Sequence, residues 1–124
     1  MIVPKPKVCN LCGGDVKLVN NSVIYGKSYG NGKAYLCQKC GAYVGVVPGF
    51  SNRALGILAN SKMRSLKVAC HALFDPYWQS HKMSRSEAYR RLAADMNLEV
   101  RDCHFGYFDE PTLKKALFIV ASWE

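Results

Sequence analysis

The chain has 124 residues, a formal net charge of +8 and 49 % hydrophobic residues. It is long enough for one compact domain, or for a small metal-held module joined to a modest core, and this composition excludes a disordered basic tail. No apolar run reaches membrane-spanning length and the first residues lack the apolar core of a signal peptide, so we expect a cytoplasmic protein with reduced thiols and no membrane partner.

Two pairs of cysteines follow a Pro- and Lys-rich lead-in, which we expect to be extended over residues 1–8. Each pair encloses two residues and is followed by a glycine; the four cysteines are Cys9, Cys12, Cys37 and Cys40. Two intervening residues let both sulfurs converge on one ion from a tight turn, and four thiolates in a tetrahedron form a closed structural Zn²⁺ site. A pair of disulfides or a redox CxxC is the alternative, but the hairpin-forming sequence between the pairs favours one zinc ion.

The segment between the cysteine pairs predicts a β-hairpin. Ser22–Tyr29 and Lys33–Leu36 are rich in β-prone residues, and the Asn-Gly step at residues 30–32 is a strong turn signal. We therefore predict a zinc ribbon over residues 9–47, which ends at the chain-breaking Pro48-Gly49.

Residues 48–124 are predicted to be helical. A first helix begins after Asn60 or Ser61 and runs to about Phe74, because Asp75-Pro76 should end it. Its expected apolar face contains Leu66, Ala69, Cys70 and Leu73, with Met63 beside it, and its expected solvent face contains Asn60, Arg64, Lys67 and His71.

Two more helices are predicted from their capping residues. Ser84 and Glu87 form a capping box that opens a helix ending at Asn97, with an expected buried face of Ala88, Tyr89, Leu92, Ala93 and Met96. A last helix begins near Pro111 with Asp109 or Glu110 as its cap, and presents Leu113, Ala116, Leu117 and Val120. The predicted fold is α+β, in which the N-terminal zinc ribbon packs with about three short C-terminal helices in one compact unit.

The chain resembles a family described as a zinc-finger-containing domain and found largely in phage and prophage proteins. The resemblance rests on CNLCG, YLCQKCGAYVG, ALGILAN, HALFDPYW, SRSEAYRRLA and CHFGYFD, which together run from Cys9 to about Leu117. It implies that Cys9, Cys12, Cys37 and Cys40 are zinc ligands and that the protein is of phage or prophage origin, acting in the host cytoplasm. The family has no biochemical activity to carry over.

The net positive charge is confined to the first two-thirds of the chain. Residues 1–80 contain ten Lys/Arg against two acids, whereas residues 81–124 contain seven of each sign. This distribution suits a polyanionic partner, and a solvated basic surface without a specific partner is the alternative.

Tyrosines alternate with lysines in the predicted hairpin. Rings and ammonium groups on one strand face can stack bases and neutralise phosphates, although tyrosines can also cover the sparse core of a small ribbon. Arg64 and Lys67 could follow a phosphate backbone along the first helix. The candidate nucleic-acid-binding residues are therefore Tyr25, Lys27, Tyr29, Lys33, Tyr35, Arg64 and Lys67.

Cys70 and Cys103 are expected to be free, buried thiols. With His71, His81 and His104 they could form a second metal site, but each cysteine adjoins a histidine in the chain, and adjacent side chains diverge. This question stays open at the level of sequence.

No catalytic motif is present. A metal-dependent nuclease would need carboxylates and histidine around an open divalent ion, and the chain offers Asp75, Asp102, Asp109 and His104. The spacing of these residues matches no known catalytic motif. We therefore expect a nucleic-acid-binding zinc-ribbon protein rather than an enzyme. The rival is a protein-binding module that engages a host enzyme or defence protein, and the sequence does not distinguish DNA from RNA.

Overall fold

The computed structural model describes residues 5–30, 32–49 and 52–123. The chain forms two compact units, which we call the ribbon unit, Ile2–Ser61, and the helical unit, Lys62–Glu124. Residues 1–4 of the predicted lead-in and Asn31 of the predicted turn lie outside the described residues. Among the described residues, no helix combines the length and the apolar character needed to cross a membrane.

The ribbon unit is built on a three-stranded antiparallel sheet in the order β1-β2-β3. The strands are β1 (Val16–Asn20), β2 (Lys33–Cys37) and β3 (Tyr43–Gly45), and Val16 pairs with Cys37 at the end nearest the cysteines. A one-turn helix, α1 (Ser22–Tyr25), lies in the connection between β1 and β2. The antiparallel sheet and the helices that follow it confirm the predicted α+β fold.

The strand predicted over Ser22–Tyr29 is wrong, because the partner of β2 is β1. The side-chain oxygen of Asn20 accepts a hydrogen bond from the backbone N–H of Ser22. The backbone carbonyl of Asn21 accepts hydrogen bonds from the N–H groups of Ile24 and Tyr25. These hydrogen bonds close a helical turn, as asparagine-rich segments readily do. Gly26, at φ 82°, then ends the turn in the left-handed conformation.

The ribbon unit extends beyond the predicted boundary at Pro48-Gly49. Ala54 forms a bridge with Val46, and Ala59 forms one with Tyr43. This returning segment supplies the fully buried Leu58 to the core of the unit. That the two units form one compact body stays a prediction.

The helical unit contains α2 (Ser61–Ser80), α3 (Arg85–Met96) and α4 (Glu110–Ala121), with short 3₁₀ turns at Val100–Asp102 and Phe105–Tyr107. The predicted helix stop at Asp75-Pro76 is wrong, because α2 continues through Pro76 to Ser80. The Tyr77 ring packs against Trp123, with 4.9 Å between centroids, and its hydroxyl accepts from Arg91. These contacts offset the hydrogen bond that a proline cannot donate.

The capping predictions are confirmed. The Ser84 hydroxyl accepts from the Glu87 amide while the Glu87 carboxylate accepts from the Ser84 amide, and Asn97 ends α3 at φ 57°. Asp109 caps α4 by accepting from the Thr112 amide. The residues that fill the core of this unit most completely are Met63, Cys70, Phe74, Leu92, Cys103, Phe105 and Leu113.

The buried face of α2 differs from the predicted one. Met63, Cys70 and Phe74 are buried, whereas Leu73 is exposed. Lys67 lies at helical spacing between Met63 and Cys70 and is half-buried on that face. Burial, and then the neighbouring Arg64 charge, lowers the pKa of Lys67. The solvent stripe predicted for this helix therefore does not include a freely exposed Lys67.

Candidate zinc centre and nucleic-acid interface

The four predicted ligands converge at one end of the sheet. The sulfurs of Cys9, Cys12, Cys37 and Cys40 all lie within 4.8 Å of one another. We call residues 9–12 the first knuckle and residues 37–40 the second. Between the two knuckles, the sulfurs of Cys9 and Cys40 are 3.7 Å apart and those of Cys12 and Cys37 are 3.5 Å apart. Four sulfurs about 2.3 Å from one zinc ion at tetrahedral angles are roughly 3.8 Å apart, so the cluster fits zinc.

The disulfide alternative does not fit these distances. All six cysteines are free thiols, and a disulfide would bring two sulfurs to about 2.05 Å. Because four protein ligands complete a tetrahedron, the ion keeps no open position for water or substrate. The site therefore holds one structural zinc ion.

Backbone amides surround the sulfurs. The N–H groups of Lys39 and Cys40 both donate to Cys37 Sγ at 3.4 Å. The amide of Cys40, followed by that of Lys39, lowers the pKa of Cys37 to about 6. At Cys40 the Ala42 amide favours the thiolate, but desolvation and the neighbouring sulfurs outweigh it and raise the pKa to about 12. A bound Zn²⁺ stabilises four thiolates together.

The two glycines that follow Cys12 have different roles. Gly13, at φ 77°, makes the left-handed turn, and its amide donates to the Cys9 carbonyl rather than to a thiolate. The next residue, Gly14, donates to Cys12 Sγ at 3.4 Å. A Cβ on Gly14 would lie 2.6 Å from Lys39 Cβ and 3.1 Å from Cys37 Sγ. Sequence reasoning missed Gly14, although the Gly-Gly step after Cys12 was a signal for close backbone approach.

Asn10 ties the first knuckle to the returning segment of the ribbon unit. Its side-chain amide donates to the Leu58 carbonyl at 3.0 Å, and its side-chain oxygen accepts the Leu58 N–H at 2.9 Å. Asn10, which lies between the zinc ligands Cys9 and Cys12, is thus hydrogen-bonded to Leu58, a buried core residue that follows the sheet in the chain. The sequence carried no local signal for this contact, because 48 residues separate the partners.

A second functional candidate is the tyrosine turn, which we define as residues 21–30 together with Gly32. Tyr25 is 48 % exposed and Tyr29 is 51 % exposed, and their ring centroids are 5.5 Å apart at an interplanar angle of 87°. The ammonium of Lys27 lies 5.2 Å from the Tyr29 ring centroid. An exposed cation–π contact of this kind is worth about 0.5–1 kcal/mol. Tyr25, Lys27 and Tyr29 are thus neighbours, although they are not on a β-strand.

The tyrosine turn is held by a buried asparagine. Asn21 is only 7 % exposed; its side-chain amide donates to the Tyr29 carbonyl and its side-chain oxygen accepts the Tyr29 N–H. Asn20 adds a hydrogen bond from the Ser28 hydroxyl. Because these bonds fix the backbone on both sides of α1, the two exposed rings are pre-positioned. An open cavity of about 420 Å³ is lined by Tyr25 and Tyr29.

The other predicted interface residues lie elsewhere. Tyr35 is 5 % exposed and its hydroxyl donates to the Asn52 carbonyl, so its ring has no free face for a base. Lys33 is exposed at the start of β2, directly after the turn. Arg64 and Lys67 belong to the helical unit and are both half-buried. The structure therefore brings Tyr25, Lys27 and Tyr29 together and removes Tyr35 from the predicted face.

The histidines pack against aromatic rings. His71 lies 4.8 Å from Phe105 between centroids and pairs with Asp75 at 3.4 Å. His104 stacks on Tyr89, and His81 stacks on Tyr77. Across the part of the chain that the structure describes, the cysteine cluster is the single group with metal-site geometry. A second site built from these histidines is not seen there.

An antiparallel sheet that carries four converging cysteines defines the ribbon unit as a zinc finger of the four-cysteine class. The chain belongs to a family described as a zinc-finger-containing domain, whose sequence pattern it matches over residues 5–122. No curated protein and no solved structure gave a significant match.

Proposed function

We propose that the protein binds nucleic acid through the ribbon unit. The observation that carries this proposal is the tyrosine turn: two half-exposed rings lie on a backbone that a buried asparagine holds, and a lysine ammonium lies 5.2 Å from the centroid of the Tyr29 ring. Rings interleaved with lysines can stack bases and neutralise phosphates. Tyr25, Lys27, Tyr29 and Lys33 are the residues to which we assign this contact.

The charge of the ribbon unit supports the proposal. Over residues 2–61 the chain has seven Lys/Arg and one acid, Asp15. Four thiolates with one Zn²⁺ subtract two charges, so the loaded unit retains a net charge of about +4. Such a positive field attracts a polyanion and raises its association rate.

We infer that the protein acts by binding rather than by catalysis. The zinc site is closed by four cysteines and so activates no water. Zinc in this protein has the role of stabilising the ribbon unit, since metal affinity in small zinc modules is folding free energy. Asn10 then transmits that order to the segment around Leu58.

The proposal includes a setting. From the resemblance to phage and prophage proteins we infer a phage-derived gene whose product acts in the host cytoplasm. Neighbouring genes for phage replication or structural proteins would support this origin, and a location among unrelated housekeeping genes would contradict it.

The direct experiment is titration of a labelled oligonucleotide with zinc-loaded protein across a salt series. We expect binding at low salt and a log-linear loss of affinity as salt rises, because phosphate contacts release counterions. The absence of binding to single- and double-stranded DNA and RNA at low salt would reject the proposal and shift support to a protein partner.

A further inference from the structure

We propose that the tyrosine turn selects unpaired nucleobases, so that the ligand of the ribbon unit is single-stranded nucleic acid. This inference rests on the proposed function and adds the class of ligand to it. Its basis is the geometry of Tyr25 and Tyr29 together with the cavity that they line.

Both rings of the Tyr25–Tyr29 pair remain partly accessible to solvent. Tyr25 and Tyr29 meet edge to face at 87°, and Tyr25 meets Tyr43 edge to face at 88°. An edge-to-face contact covers much less of a ring than a stacked contact does. About half of each side chain in the Tyr25–Tyr29 pair is accessible, so a planar base can lie on one ring and against the edge of the other.

A base that stacks on one of these rings must have a free face. Bases in a duplex are stacked on both faces, and their faces become available only when the strand is single or the base is extruded. The open cavity of about 420 Å³ beside the rings has room for a single base. Stacking on tyrosine is tolerant of sequence, since every base has a π-face.

Lys27 links the stacking site to a phosphate. Its ammonium lies 5.2 Å from the centroid of the Tyr29 ring. Stacking of a base on this ring is a stronger interaction than an exposed cation–π contact, so a base displaces the ammonium. The displaced ammonium can then neutralise the phosphate of the same or the next nucleotide. One site thus provides both base stacking and phosphate neutralisation.

The rigid frame of the turn favours binding. Asn21 holds Tyr29 through two hydrogen bonds, and Asn20 holds Ser28 through one. Little conformational freedom of the backbone is left to lose when a strand binds, and pre-organisation of this kind increases affinity.

The test compares four probes of equal length on the zinc-loaded full chain: a single-stranded DNA, the corresponding RNA, a DNA duplex and a single strand in which every base is replaced by an abasic sugar. We expect both base-bearing single strands to bind more tightly than the duplex and the abasic strand. Tyr29→Ala and Tyr25→Ala should each weaken single-strand binding by roughly 5- to 150-fold. The matched control Tyr29→Phe keeps the ring and should keep the affinity.

A second readout does not depend on the variants folding. The base analogue 2-aminopurine in the single strand should lose fluorescence when wild-type protein binds, because stacking quenches it. Equal affinity for the abasic and base-bearing strands, or preference for the duplex, would overturn the inference while the proposed function stands. No binding to any of the four probes would remove both.

Discussion

The side chain of Asn21 hydrogen-bonds the backbone of Tyr29 in both directions. Its amide donates to the Tyr29 carbonyl at 2.7 Å, and its oxygen accepts the Tyr29 N–H at 3.0 Å. Because Asn21 is almost completely buried, water cannot replace either bond. A buried side chain thus fixes the backbone that carries the exposed Tyr29 ring.

Asn21→Ala should destabilise the ribbon unit and loosen the tyrosine turn. The substitution leaves the Tyr29 amide and carbonyl without their partner, at a cost of about 1–3 kcal/mol in the free energy of unfolding. Urea denaturation of zinc-loaded protein measures the loss, and amide hydrogen exchange at Tyr29 shows where it occurs. Ser28→Ala, which removes one exposed hydrogen bond to Asn20, is the control and should cost clearly less. Equal protection of the Tyr29 amide in Asn21→Ala and wild type would contradict this account.

Cys12→Ser should abolish stoichiometric zinc binding and the order of the ribbon unit. It removes one of four converging thiolates, and metal affinity in such a unit is folding free energy. Metal analysis of the purified chain should give one zinc for wild type and a value near zero for the variant. Cys103→Ala, in the helical unit, is the control and should keep one zinc. A value near two for wild type would indicate a further site, and an ordered ribbon without metal would refute a structural role.

Gly14→Ala should weaken zinc binding although no ligand is changed. The added Cβ would lie 2.6 Å from Lys39 Cβ and 3.3 Å from Cys12 Sγ, so the two knuckles must separate. Perturbing the surroundings of metal ligands typically lowers metal affinity by roughly 10- to 100-fold. Competition with a chromogenic chelator measures this change. The double variant Gly14→Ala/Lys39→Gly removes the shortest contact and should recover part of the affinity relative to Lys39→Gly alone; no recovery would mean that this clash is not the cause.

Cys70 and Cys103 should react slowly with thiol reagents in the native, zinc-loaded protein. Burial raises the pKa of both thiols to about 11, and the Cys70 thiol donates to the Leu113 carbonyl at 3.6 Å. Labelling followed by mass spectrometry at pH 8 should therefore modify neither residue until the helical unit opens. Rapid modification of either thiol at this pH would be incompatible with the buried placement.

The same thiols predict a loss of stability at alkaline pH. A folded-state pKa above the unfolded value of about 8.5 means that folding favours the neutral thiol. This contribution is fully present below pH 8.5 and is lost as pH rises towards 11. Cys70→Ala should show a shallower decline of unfolding free energy over this range than wild type. Parallel declines in the two proteins would show that Cys70 is not responsible.

Local signals in the sequence were sufficient for much of this fold. Ser84, Glu87 and Asn97 bound α3 through contacts within one helical turn, and the cysteine spacing alone located the zinc site. Such features are predictable because both partners of each interaction lie close together in the chain.

The errors had two sources, namely asparagines that hydrogen-bond the turn beside them and contacts with residues far away in the chain. Ser22–Tyr25 has strand-like composition, but its backbone N–H groups donate hydrogen bonds to Asn20 and Asn21 and so form a helical turn. Pro76 should end α2, but contacts of Tyr77 with α3 and the C-terminal Trp123 extend it. Tyr35 alternates correctly with Lys33 along β2, yet the returning segment at Asn52 covers it. The partners of Tyr77 and Tyr35 lie outside any window of neighbouring residues, whereas Asn20 and Asn21 adjoin the turn that they form.

The central claim is that affinity for nucleic acid resides in the ribbon unit, and the salt dependence of single-strand binding tests it most directly. Lys27→Ala/Lys33→Ala should lower the slope of log affinity against log salt by roughly 1.4, at about 0.7 for each lost phosphate contact. The matched control Lys114→Ala/Lys115→Ala removes the same charge from α4 of the helical unit and should leave the slope unchanged. Equal changes in slope for the two double variants would contradict the claim.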